Sequence, residues 1–479
     1  MNKFYITTSI PYANGSPHLG HSLEFIQADV LARYAKLQGK ELVFSTGMDE
    51  HGSKIQQSAE KLNKSPKVYV DGIAEEFKEL LNLLEIENTH FIRTTDPEHE
   101  KRAKLIWDKL VESGDIYKGE YEGWYCVGDE AFFSETEVKE NDGICPNHKK
   151  PYEKIKEENY FFKLSKYSKE IKEQIENEDF KILPETRRNE ILSLINEGLE
   201  DISVSRPKTS TEWGIDVPGD NKQVMYVWVE ALMNYLTVIG YPDTDNWKKY
   251  WPADVQIIGK DIIRFHAAIW PAMLLSLGLP LPSVLYVHGF IQIDGQKMGK
   301  SLGNGVAPSD LVKNYGCDVI RYYLMRHIPS YSDGDFTLEH LVESYNGELA
   351  NELGNVVQRS STMIHNFLKG DVGEIPPSEH DIAAYREYMQ NCRFDKALDE
   401  VWAQIKGINQ YIDETKPWEI AKTDDTDHLR EVLAYISSSV LEVATLVSPF
   451  MPNTALAIKE IFEDEKITPP EKALFPRKD

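Results

Sequence analysis

Three features are scarce in this sequence: cysteine, positive charge and long apolar runs. Four cysteines in 479 residues are too few and too scattered for a disulfide scaffold, so we expect a reducing, cytoplasmic environment. The N-terminus lacks the apolar core of a signal peptide. The most apolar stretch, residues 269–287, is interrupted by Pro271, Gly278, Pro280 and Pro282, which predicts a buried helix, turn and strand and no membrane span.

Basic residues are outnumbered over the chain as a whole. There are 53 Lys and Arg against 78 Asp and Glu, a net charge of -25. The segment 341–479 holds 14 basic and 25 acidic residues, a balance of -11. This composition argues against indiscriminate binding to polyanions, because nucleic-acid-binding domains usually carry a basic footprint. Any RNA contact must therefore rest on basic side chains that cluster on one face.

The order of strand-like and helical segments predicts an α/β protein. Residues 3–10 and 41–46 are rich in β-branched and aromatic side chains and predict buried strands. Apolar residues recur at steps of three and four over 19–37, which predicts an amphipathic helix closed by Gly39. The same signals predict helix starts at Ser65-Pro66 and Asp96-Pro97 and strands near 255–259 and 284–290. Strand alternating with helix is typical of a Rossmann-type, doubly wound parallel sheet.

The domain organisation follows from where this alternation stops. The length of the chain, 479 residues, predicts roughly three domains. The segment 116–224 is rich in Lys, Glu, Tyr and Gly and interrupts the pattern, so we interpret it as an insertion. After about 338 the strand signals end and long amphipathic helices follow. The predicted domains are the first half of the sheet domain (1–115), a connective insertion (116–224), the second half (225–337) and an α-helical domain (338–479).

A histidine motif, His18-Leu19-Gly20-His21, lies where the loop after the first strand meets the first helix. Open parallel sheets bind ligands beyond the carboxyl ends of their strands, and a helix N-terminus attracts phosphate. Gly20 would let a nucleotide base approach the backbone, and the two imidazoles could donate hydrogen bonds to phosphate oxygens. The alternative from the residues alone is that His18 only caps the helix.

A lysine-rich loop, Lys297-Met298-Gly299-Lys300-Ser301, follows a strand-like run and an Asp-Gly turn. Two lysines three residues apart can neutralise charge that develops on a pyrophosphate during in-line displacement. By itself this segment fits an ordinary solvated loop better. The order of the two motifs and their strand–helix context make the pair much more specific than either motif.

Together the two motifs resemble the HIGH and KMSKS signatures of the class I aminoacyl-tRNA synthetases, and residues 11–21 are similar to the methionyl branch of that family. Gly299 departs from the pattern, since serine is typical there, and we expect altered loop flexibility with activity retained. The resemblance implies ligation of methionine to tRNA(Met), including the initiator tRNA, through methionyl-adenylate. It also implies ATP with Mg²⁺ as cofactor, bound by His18, Gly20, His21, Gly259, Asp261, Lys297 and Lys300.

By matching positions, the resemblance implies a methionine pocket. A flexible thioether requires an apolar, aromatic-walled slot. Asp49 would bind the ammonium group, and the slot would be formed by Ile10, Tyr12, Trp228, Ala231, Tyr235, His266 and Trp270. Leu232 stands where the family commonly has proline, which affects the local shape. Without the resemblance, Trp228 and Trp270 would be interpreted as core aromatics and Asp49 as a loop carboxylate.

Two cysteine corners in the insertion have the spacing of a zinc knuckle: Cys126-x-x-Asp129 and Cys145-x-x-His148. Many members of the methionyl branch have cysteine where Asp129 stands. Two thiolates, one carboxylate and one imidazole are a less usual set for a structural ion. A Zn²⁺ site and a metal-free turn therefore both stay open.

The helical region contains a candidate RNA-reading face. Asn355 and Arg359 lie four residues apart and share one helix face, and Trp418 follows a Lys-Pro corner. Single-stranded loops are read by stacking bases on aromatic rings and by hydrogen bonds to base edges. These three positions match the anticodon-reading residues of the family. On the residues alone, an ordinary solvated face and an interhelix plug are the alternatives.

Two other functions stay open from the sequence. One is another class I synthetase, such as the cysteinyl or leucyl type. No cysteine lies near His18 or Asp49 to hold an active-site zinc, and 116–224 is too short for a large editing insertion. The other is a paralogue that binds RNA or a protein without catalysis, which the two intact nucleotide motifs argue against. We expect no tRNA-binding module after Asp479 and therefore a monomer.

Overall fold

The computed structural model describes residues 2–126, 131–133, 135–146, 149–293, 296–297, 306–378 and 380–478. The chain divides into two compact units. The first unit is Met1–Pro17, Lys40–Glu79 and Asn88–Val287, and the second is His18–Gly39, Leu80–Glu87 and His288–Asp479. None of the described helices is both long and apolar enough to cross a bilayer.

The strands and helices have the following bounds. The strands are β1 (Lys3–Thr7), β2 (Glu41–Met48), β3 (His90–Arg93), β4 (Ile116–Cys126), β5 (Ala131–Phe133), β6 (Glu153–Phe162), β7 (Lys181–Leu183), β8 (Ile202–Ser203), β9 (Ser205–Pro207), β10 (Asp216–Val217), β11 (Asp220–Met225), β12 (Val255–Gly259), β13 (Val284–His288), β14 (Ile291–Ile293), β15 (Gln296–Lys297) and β16 (Gly334–Phe336). The helices are α1 (Leu19–Leu37), α2 (Ser53–Lys61), α3 (Pro66–Leu83), α4 (Pro97–Glu112), α5 (Glu135–Glu140), α6 (Ser168–Glu176), α7 (Glu185–Glu197), α8 (Val227–Leu232), α9 (Asn234–Thr237), α10 (Trp247–Tyr250), α11 (Trp270–Ser276), α12 (Pro308–Tyr315), α13 (Cys317–Arg326), α14 (Leu338–Ser344), α15 (Asn355–Leu368), α16 (Ala383–Gln390), α17 (Phe394–Thr415), α18 (Pro417–Ile420), α19 (Thr426–Val447) and α20 (Pro452–Phe462). Short 3-10 turns lie at Leu164–Tyr167 and Lys260–Ile262, and π-helical segments at Phe265–Ile269 and Tyr345–Gly354.

The first unit is built on a six-stranded sheet of order β3-β2-β1-β12-β13-β7. β1 pairs in parallel with both β2 and β12, so Ile6 lies opposite Phe44 on one side and Val255 on the other. The pairs β2–β3 and β7–β13 are parallel too. Strand order reverses between β1 and β12, because β2 and β3 lie on one side of β1 and the later strands on the other. The predicted fold class, a mostly parallel sheet with helices followed by a helical domain, is confirmed.

Most of the predicted element positions agree with the structure. The helix predicted over 19–37 is α1, and Gly39 after it has a φ of 72°. α3 and α4 begin at Pro66 and Pro97, as the N-terminal proline signals indicate. β1 ends at Thr7, before the predicted end at residue 10, although the Ser9 amide still donates to the Ile257 carbonyl at 2.9 Å.

The main core of the first unit packs the sheet against its helices. Tyr5, Val43 and Leu285 from the sheet belong to one buried cluster with Trp107 of α4 and Trp270 of α11. Burying aromatic rings of this size contributes roughly 2 kcal/mol or more each. The strands of this sheet are therefore fixed by a well-packed core.

Residues 116–225, which include the predicted insertion, contribute two small antiparallel sheets, of order β5-β4-β6-β8 and β10-β11-β9. β4 and β6 form a long ladder in which Ile116 lies opposite Phe162. β7, which lies inside 116–224, joins the edge of the six-stranded sheet beside β13. A strand of three residues is too short to show a periodicity, so β7 was not predicted from the sequence.

The second unit is mainly helical and is held together partly by a buried arginine. Arg321 of α13 is fully buried and forms an ion pair of 2.6 Å with Asp29 of α1. Its remaining N–H groups donate to the carbonyls of Leu84, Pro449 and Phe450. Loss of one partner of such a pair leaves an uncompensated buried charge, which costs about 3–5 kcal/mol.

Candidate active site

Three chain segments meet at the carboxyl edge of the sheet, where strand order reverses. The loop after β1 runs beside the end of β2: the Ala13 amide donates to the Asp49 carbonyl at 2.8 Å, and the Asp49 amide donates to the Pro11 carbonyl at 2.9 Å. Tyr12 and Asp49 therefore form a parallel bridge. Gly259 ends β12, the strand next to β1, and the exposed Asp261 follows in a 3-10 turn. Open α/β sheets bind ligands at this kind of crevice.

A glycine allows β2 and β3 to approach each other closely next to this crevice. A Cβ on Gly47 of β2 would lie 1.9 Å from the carbonyl oxygen of Ile92 in β3. No side chain fits there without backbone movement. β2 can therefore reach Asp49, which is 3% exposed, only because residue 47 lacks a side chain.

Aromatic rings line one side of the crevice. The Trp228 ring, in the first turn of α8, stacks on Phe265 with centroids 4.9 Å apart and lies 6.3 Å from Tyr12. Ala231, one turn further along α8, is buried, and Ile10 is half-buried in the loop after β1. The structure thus brings the predicted Tyr12 and Trp228 together. Phe265 was not predicted, because its contact with Trp228 joins two segments that are distant in sequence.

A second group of predicted residues, Tyr235, His266 and Trp270, is buried, and two of them are joined by a hydrogen bond. The Nδ1 atom of His266 lies 3.0 Å from the Ile262 carbonyl, and Nε2 lies 2.7 Å from the Tyr235 hydroxyl. Because a carbonyl can only accept, Nδ1 carries the proton, and Nε2 of the neutral ring accepts from Tyr235. Trp270 packs against Tyr235 at 5.8 Å. The orientation of both rings is therefore fixed by their partners.

A buried carboxylate connects the loop after β2 to two helices. Glu230 of α8 is fully buried and accepts from His51 Nδ1 at 2.7 Å and from His99 Nε2 at 3.1 Å. The other nitrogen of His99 lies 2.8 Å from the hydroxyl of Thr237. Sequence patterns did not predict this cluster, although a glutamate inside the apolar run 227–233 was a usable signal. The cluster ties the segment that carries Asp49 to the helix that carries Trp228.

The charges within this cluster support each other. Burial alone would raise the pKa of the Glu230 carboxyl, but His51 and His99 reverse this and hold its pKa below the usual value. Burial alone would lower the pKa of His51, but the nearby carboxylates, Glu230 foremost, together have the larger effect, so the pKa of His51 is raised. The pair is therefore an ion pair over an intermediate range of pH.

The histidine motif caps α1 in the second unit. The Gly20 amide donates to His18 Nδ1 at 3.1 Å, and the His18 amide donates to His21 Nδ1 at 3.2 Å. The two rings stack at 3.8 Å. A Cβ on Gly20 would lie 3.0 Å from the His18 ring, so glycine allows the cap. His18 therefore caps the N-terminus of α1, which is the role that the residues alone suggested for it.

Capping also defines which nitrogen of each ring carries the proton. Since Nδ1 accepts in both His18 and His21, the neutral rings carry their proton on Nε2. Burial lowers the pKa of His21 well below its ordinary value, and the nearby His18 and His288 lower it further. His21 is therefore a neutral Nε2–H donor near physiological pH. This is the donor that the predicted phosphate contact requires.

The lysine motif is only partly covered by the described residues. β15 pairs with β14 so that Lys297 lies opposite Gln292. Lys300 and Gly299 lie outside the described residues, and their predicted roles remain predictions.

Two of the four predicted zinc ligands, Cys126 and Cys145, lie among the described residues. Cys126 ends β4 and pairs with Ala131 of β5. Cys145 starts a tight turn in which the Lys149 amide donates to the Cys145 carbonyl at 2.9 Å. Both thiols are fully buried in one small apolar cluster with Tyr152. Asp129 and His148, the other two predicted ligands, lie outside the described residues.

The predicted anticodon residues lie on helices of the second unit. Asn355, the first residue of α15, is exposed. The Arg359 guanidinium lies 5.4 Å from the centre of the Trp418 ring and forms an ion pair of 2.6 Å with Asp413. The structure therefore brings Arg359 and Trp418 together, as the predicted face requires.

Comparisons with known proteins agree over nearly the whole chain. The family described as tRNA synthetases class I (M) matches residues 4–154 and 148–361, and the anticodon binding domain of methionyl tRNA ligase matches residues 375–474. The methionine–tRNA ligase of Caldanaerobacter subterraneus subsp. tengcongensis is 47% identical over 481 residues, covering 97% of this chain and 74% of the relative. That of Thermotoga maritima is 43% identical, covering 96% of this chain and 75% of the relative.

A solved structure gives the same result. Mycobacterium tuberculosis methionyl-tRNA synthetase in complex with methionyl-adenylate superposes with a TM-score of 0.91 at 38% identity, and the match covers 100% of both chains. Agreement of this kind in sequence, in fold and in both domain families leaves the cysteinyl and leucyl branches without support. This chain belongs to the methionyl-tRNA synthetase family of class I.

Proposed function

We propose that this chain is a methionine–tRNA ligase that forms methionyl-adenylate from methionine and ATP and then esterifies tRNA(Met), the initiator tRNA included. The observation that carries the proposal is the group of aromatic and hydrogen-bonded side chains at the point of strand-order reversal. There Tyr12, Trp228 and the Tyr235–His266 pair lie on elements of one compact unit.

The amino-acid pocket is proposed to select methionine by fixed polar contacts within an apolar wall. Asp49 would bind the ammonium group, and the rings of Trp228 and Trp270 would contact the side chain. The Tyr235–His266 hydrogen bond holds both polar groups of the pocket in one orientation. A hydrogen-bonded pocket rejects analogues that lack the matching group more strongly than size alone allows. Aliphatic side chains would therefore bind poorly despite their similar volume.

The first chemical step is proposed to be in-line attack by the methionine carboxylate on the α-phosphorus of ATP. A carboxylate oxygen bonds to phosphorus while the bond to the β-phosphate bridging oxygen breaks, and pyrophosphate leaves with that electron pair. His18 and His21 would donate from Nε2 to phosphate oxygens, and Lys297 and Lys300 would neutralise the leaving group. Gly259 and Asp261 would lie beside the ribose. Bound Mg²⁺ would supply further charge neutralisation on the phosphates.

In the second step the 2′-hydroxyl oxygen of the terminal adenosine would bond to the methionyl carbonyl carbon. The bond from that carbon to the phosphate oxygen breaks, AMP leaves with the electron pair, and the hydroxyl proton is released. Asn355, Arg359 and Trp418 would read the anticodon by base-edge hydrogen bonds and stacking. If Zn²⁺ binds, Cys126, Asp129, Cys145 and His148 would hold it, and it would stabilise the insertion.

A panel of pyrophosphate exchange reactions tests the proposal. We expect ATP–pyrophosphate exchange with methionine and none above background with the other amino acids, together with charging of tRNA(Met) only. Lys300→Ala should lower the exchange rate sharply while leaving methionine binding largely intact, and Lys396→Ala in the helical region serves as a lysine control. Exchange that depends on another amino acid would overturn the proposal. Unchanged exchange in Lys300→Ala would overturn the assignment of the lysine loop.

A further inference from the structure

A group of side chains that can bind a metal ion lies in the second unit. Glu85 follows the end of α3, and Cys317 and Asp318 are the first two residues of α13. One carboxylate oxygen of Glu85, the Sγ atom of Cys317 and one carboxylate oxygen of Asp318 all lie within 4.8 Å of one another. The proposed activation and transfer steps use none of these three residues. Their convergence therefore needs a separate explanation.

The turn that carries Glu85 is held in place by hydrogen bonds. The backbone of Glu85 is left-handed, with a φ of 55°, and its amide donates to the Asn82 carbonyl at 3.1 Å. Its carbonyl accepts from Arg33 Nη2 at 2.6 Å. Of its carboxylate oxygens, Oε2 accepts from Asn453 Nδ2 at 2.7 Å. The backbone position of Glu85 is thus fixed, while its side chain is exposed to solvent.

Asp318 has one carboxylate oxygen for which the protein supplies no partner. The residue is only 7% exposed. Its Oδ2 atom accepts from the amide of Thr454 at 2.6 Å and from the hydroxyl of Thr454 at 2.7 Å. Its Oδ1 atom is buried, and no hydrogen-bond donor among the described residues reaches it. A buried carboxylate oxygen without a partner is costly, so the lone pairs of Oδ1 point to a cationic ligand.

The two carboxylates of this group also lack a compensating ion pair. Arg321, one turn further along α13, pairs with Asp29 and donates its other N–H groups to three carbonyls. Arg33 pairs with Asp29 and Glu87. Among the described residues, no basic side chain forms an ion pair with either carboxylate of the group. Two carboxylates this close repel each other, and a divalent cation between them would remove that repulsion.

The kinds of ligand atom favour Zn²⁺ among the common divalent ions. Carboxylate oxygens alone suit Mg²⁺ and Ca²⁺, whereas a thiolate among them selects a softer ion. In a tetrahedral site with bonds of about 2.0–2.3 Å, neighbouring ligand atoms are separated by roughly 3.3–3.8 Å. The group must therefore contract by about 1 Å to reach this geometry. Rotation of the exposed Glu85 side chain can supply most of that movement.

We propose that Glu85, Cys317 and Asp318 bind one Zn²⁺ ion, with water as the fourth ligand. On binding, the S–H bond of Cys317 breaks, its proton passes to solvent, and the sulfur keeps the electron pair and bonds to the metal. The ion links the turn after α3 to the first turn of α13. Through the hydrogen bonds from Thr454 to Asp318, it also supports the start of α20. This site stabilises the helical unit and shares no residue with the zinc site predicted in the insertion.

Titration with Co²⁺ tests the proposal directly, because Co²⁺ takes the same kinds of ligand as Zn²⁺ and its bond to a thiolate absorbs in the near ultraviolet. After chelator treatment, the unsubstituted protein should bind about one equivalent more Co²⁺ than Cys317→Ser, with the absorbance of one additional thiolate bond. Cys392→Ser, which changes another cysteine of the second unit, is the matched control and should match the unsubstituted protein. Metal bound at Cys126 and Cys145 contributes equally to all three proteins and cancels in the comparison.

Asp318→Asn tests the site without removing the cysteine. The amide oxygen can still accept from Thr454, so the metal-free variant should be at least as stable as the unsubstituted protein, because a buried charge is removed. Its affinity for Zn²⁺ at this site should fall about tenfold or more, since even groups that only support metal ligands contribute this much. The rise in Tm that Zn²⁺ produces should accordingly be smaller in Asp318→Asn than in Asp310→Asn, which alters an exposed carboxylate in the first turn of α12.

Two results would overturn the proposal. One is equal Co²⁺ stoichiometry in the unsubstituted protein and Cys317→Ser. The other is a Zn²⁺-induced rise in Tm that Asp318→Asn retains in full. If circular dichroism shows that Cys317→Ser does not fold, the comparison of Asp318→Asn with Asp310→Asn decides. Neither measurement depends on catalytic activity, so failure of the metal site and failure of the proposed function are distinguishable.

Discussion

The proposed methionine pocket and the proposed anticodon face differ in how their side chains are held. In the pocket, Tyr235 and His266 are 2% and 5% exposed and are fixed by hydrogen bonds within the protein. On the anticodon face, Arg359 is 30% exposed and its ion-pair partner Asp413 is 64% exposed. A small ligand can be selected by buried contacts that exist before it arrives. A base in the anticodon loop of a tRNA must be bound by side chains that are exposed to solvent. Substitutions in the two sites should therefore affect different steps and by different amounts.

The largest effect is expected from the buried cluster that supports the pocket. Glu230→Gln removes the charge partner of His51, and a broken buried pair costs about 3–5 kcal/mol in the free energy of unfolding. Chemical denaturation at pH 5.5 measures it. Glu190→Gln is the matched control, because Glu190 is a half-exposed partner of Arg187 and such surface pairs contribute about 0–1 kcal/mol.

The pH dependence of this effect sharpens the prediction. The pKa of Glu230 is lowered from 4.5, so its stabilisation is present above pH 4.5 and is lost as pH falls through the lowered value. The pKa of His51 is raised from 6.5, so its stabilisation is present below pH 6.5 and is lost as pH rises through the raised value. The difference between the unsubstituted protein and Glu230→Gln should be largest between these limits. A difference that does not change with pH would contradict the ion pair.

The next effect is expected within the pocket itself. His266→Ala leaves the Tyr235 hydroxyl without its acceptor and opens a gap, which should lower kcat/KM for methionine in pyrophosphate exchange about 30- to 100-fold. Tyr235→Phe, which keeps the ring, should have a smaller effect. The KM for tRNA(Met) should stay the same in both. A rise in that KM equal to the loss for methionine would contradict the separation of the two sites.

The converse effect is expected on the helical face. Trp418→Ala removes a stacking surface, so kcat/KM for tRNA(Met) in aminoacylation should fall about 10-fold or more. Pyrophosphate exchange, which needs no tRNA, should be unchanged. Trp418→Phe keeps an aromatic plane and should recover part of the loss. No recovery with Phe would count against stacking.

The smallest effect is expected at the ion pair on that face. Asp413→Asn releases Arg359 from a solvent-exposed partner, whose contribution is within about 1 kcal/mol, and removes a negative charge near the RNA. The KM for tRNA(Met) should fall by a factor of about two to five. Asp399→Asn, on the same helix α17, is the control. A rise in KM would mean that the ion pair positions Arg359 for binding.

Much of the architecture could be predicted from local patterns. The buried strands, the helix over 19–37 and the proline-marked starts of α3 and α4 all carry strong sequence signals, and the structure confirms them. β7 could not be predicted in this way, because three residues show no periodicity and its pairing with β13 depends on distant residues. Boundaries of the insertion remain predictions.

The site residues could be predicted mainly because their positions match those of the synthetase family. Periodicity and residue type gave less information about them. Nothing in the local sequence places Phe265 against Trp228 or His51 beside Glu230, because these contacts join elements far apart in the chain. The tautomers of His18 and His266 follow only from the atoms around each ring.

Direct capture of the intermediate tests whether this chain activates methionine. The protein is mixed with labelled methionine, ATP and Mg²⁺ without tRNA and quenched within one turnover. We expect close to one equivalent of enzyme-bound methionyl-adenylate and of pyrophosphate, and the label should pass to tRNA(Met) when that tRNA is added. Absence of the adenylate, or equal formation of an adenylate from leucine or cysteine, would contradict the account.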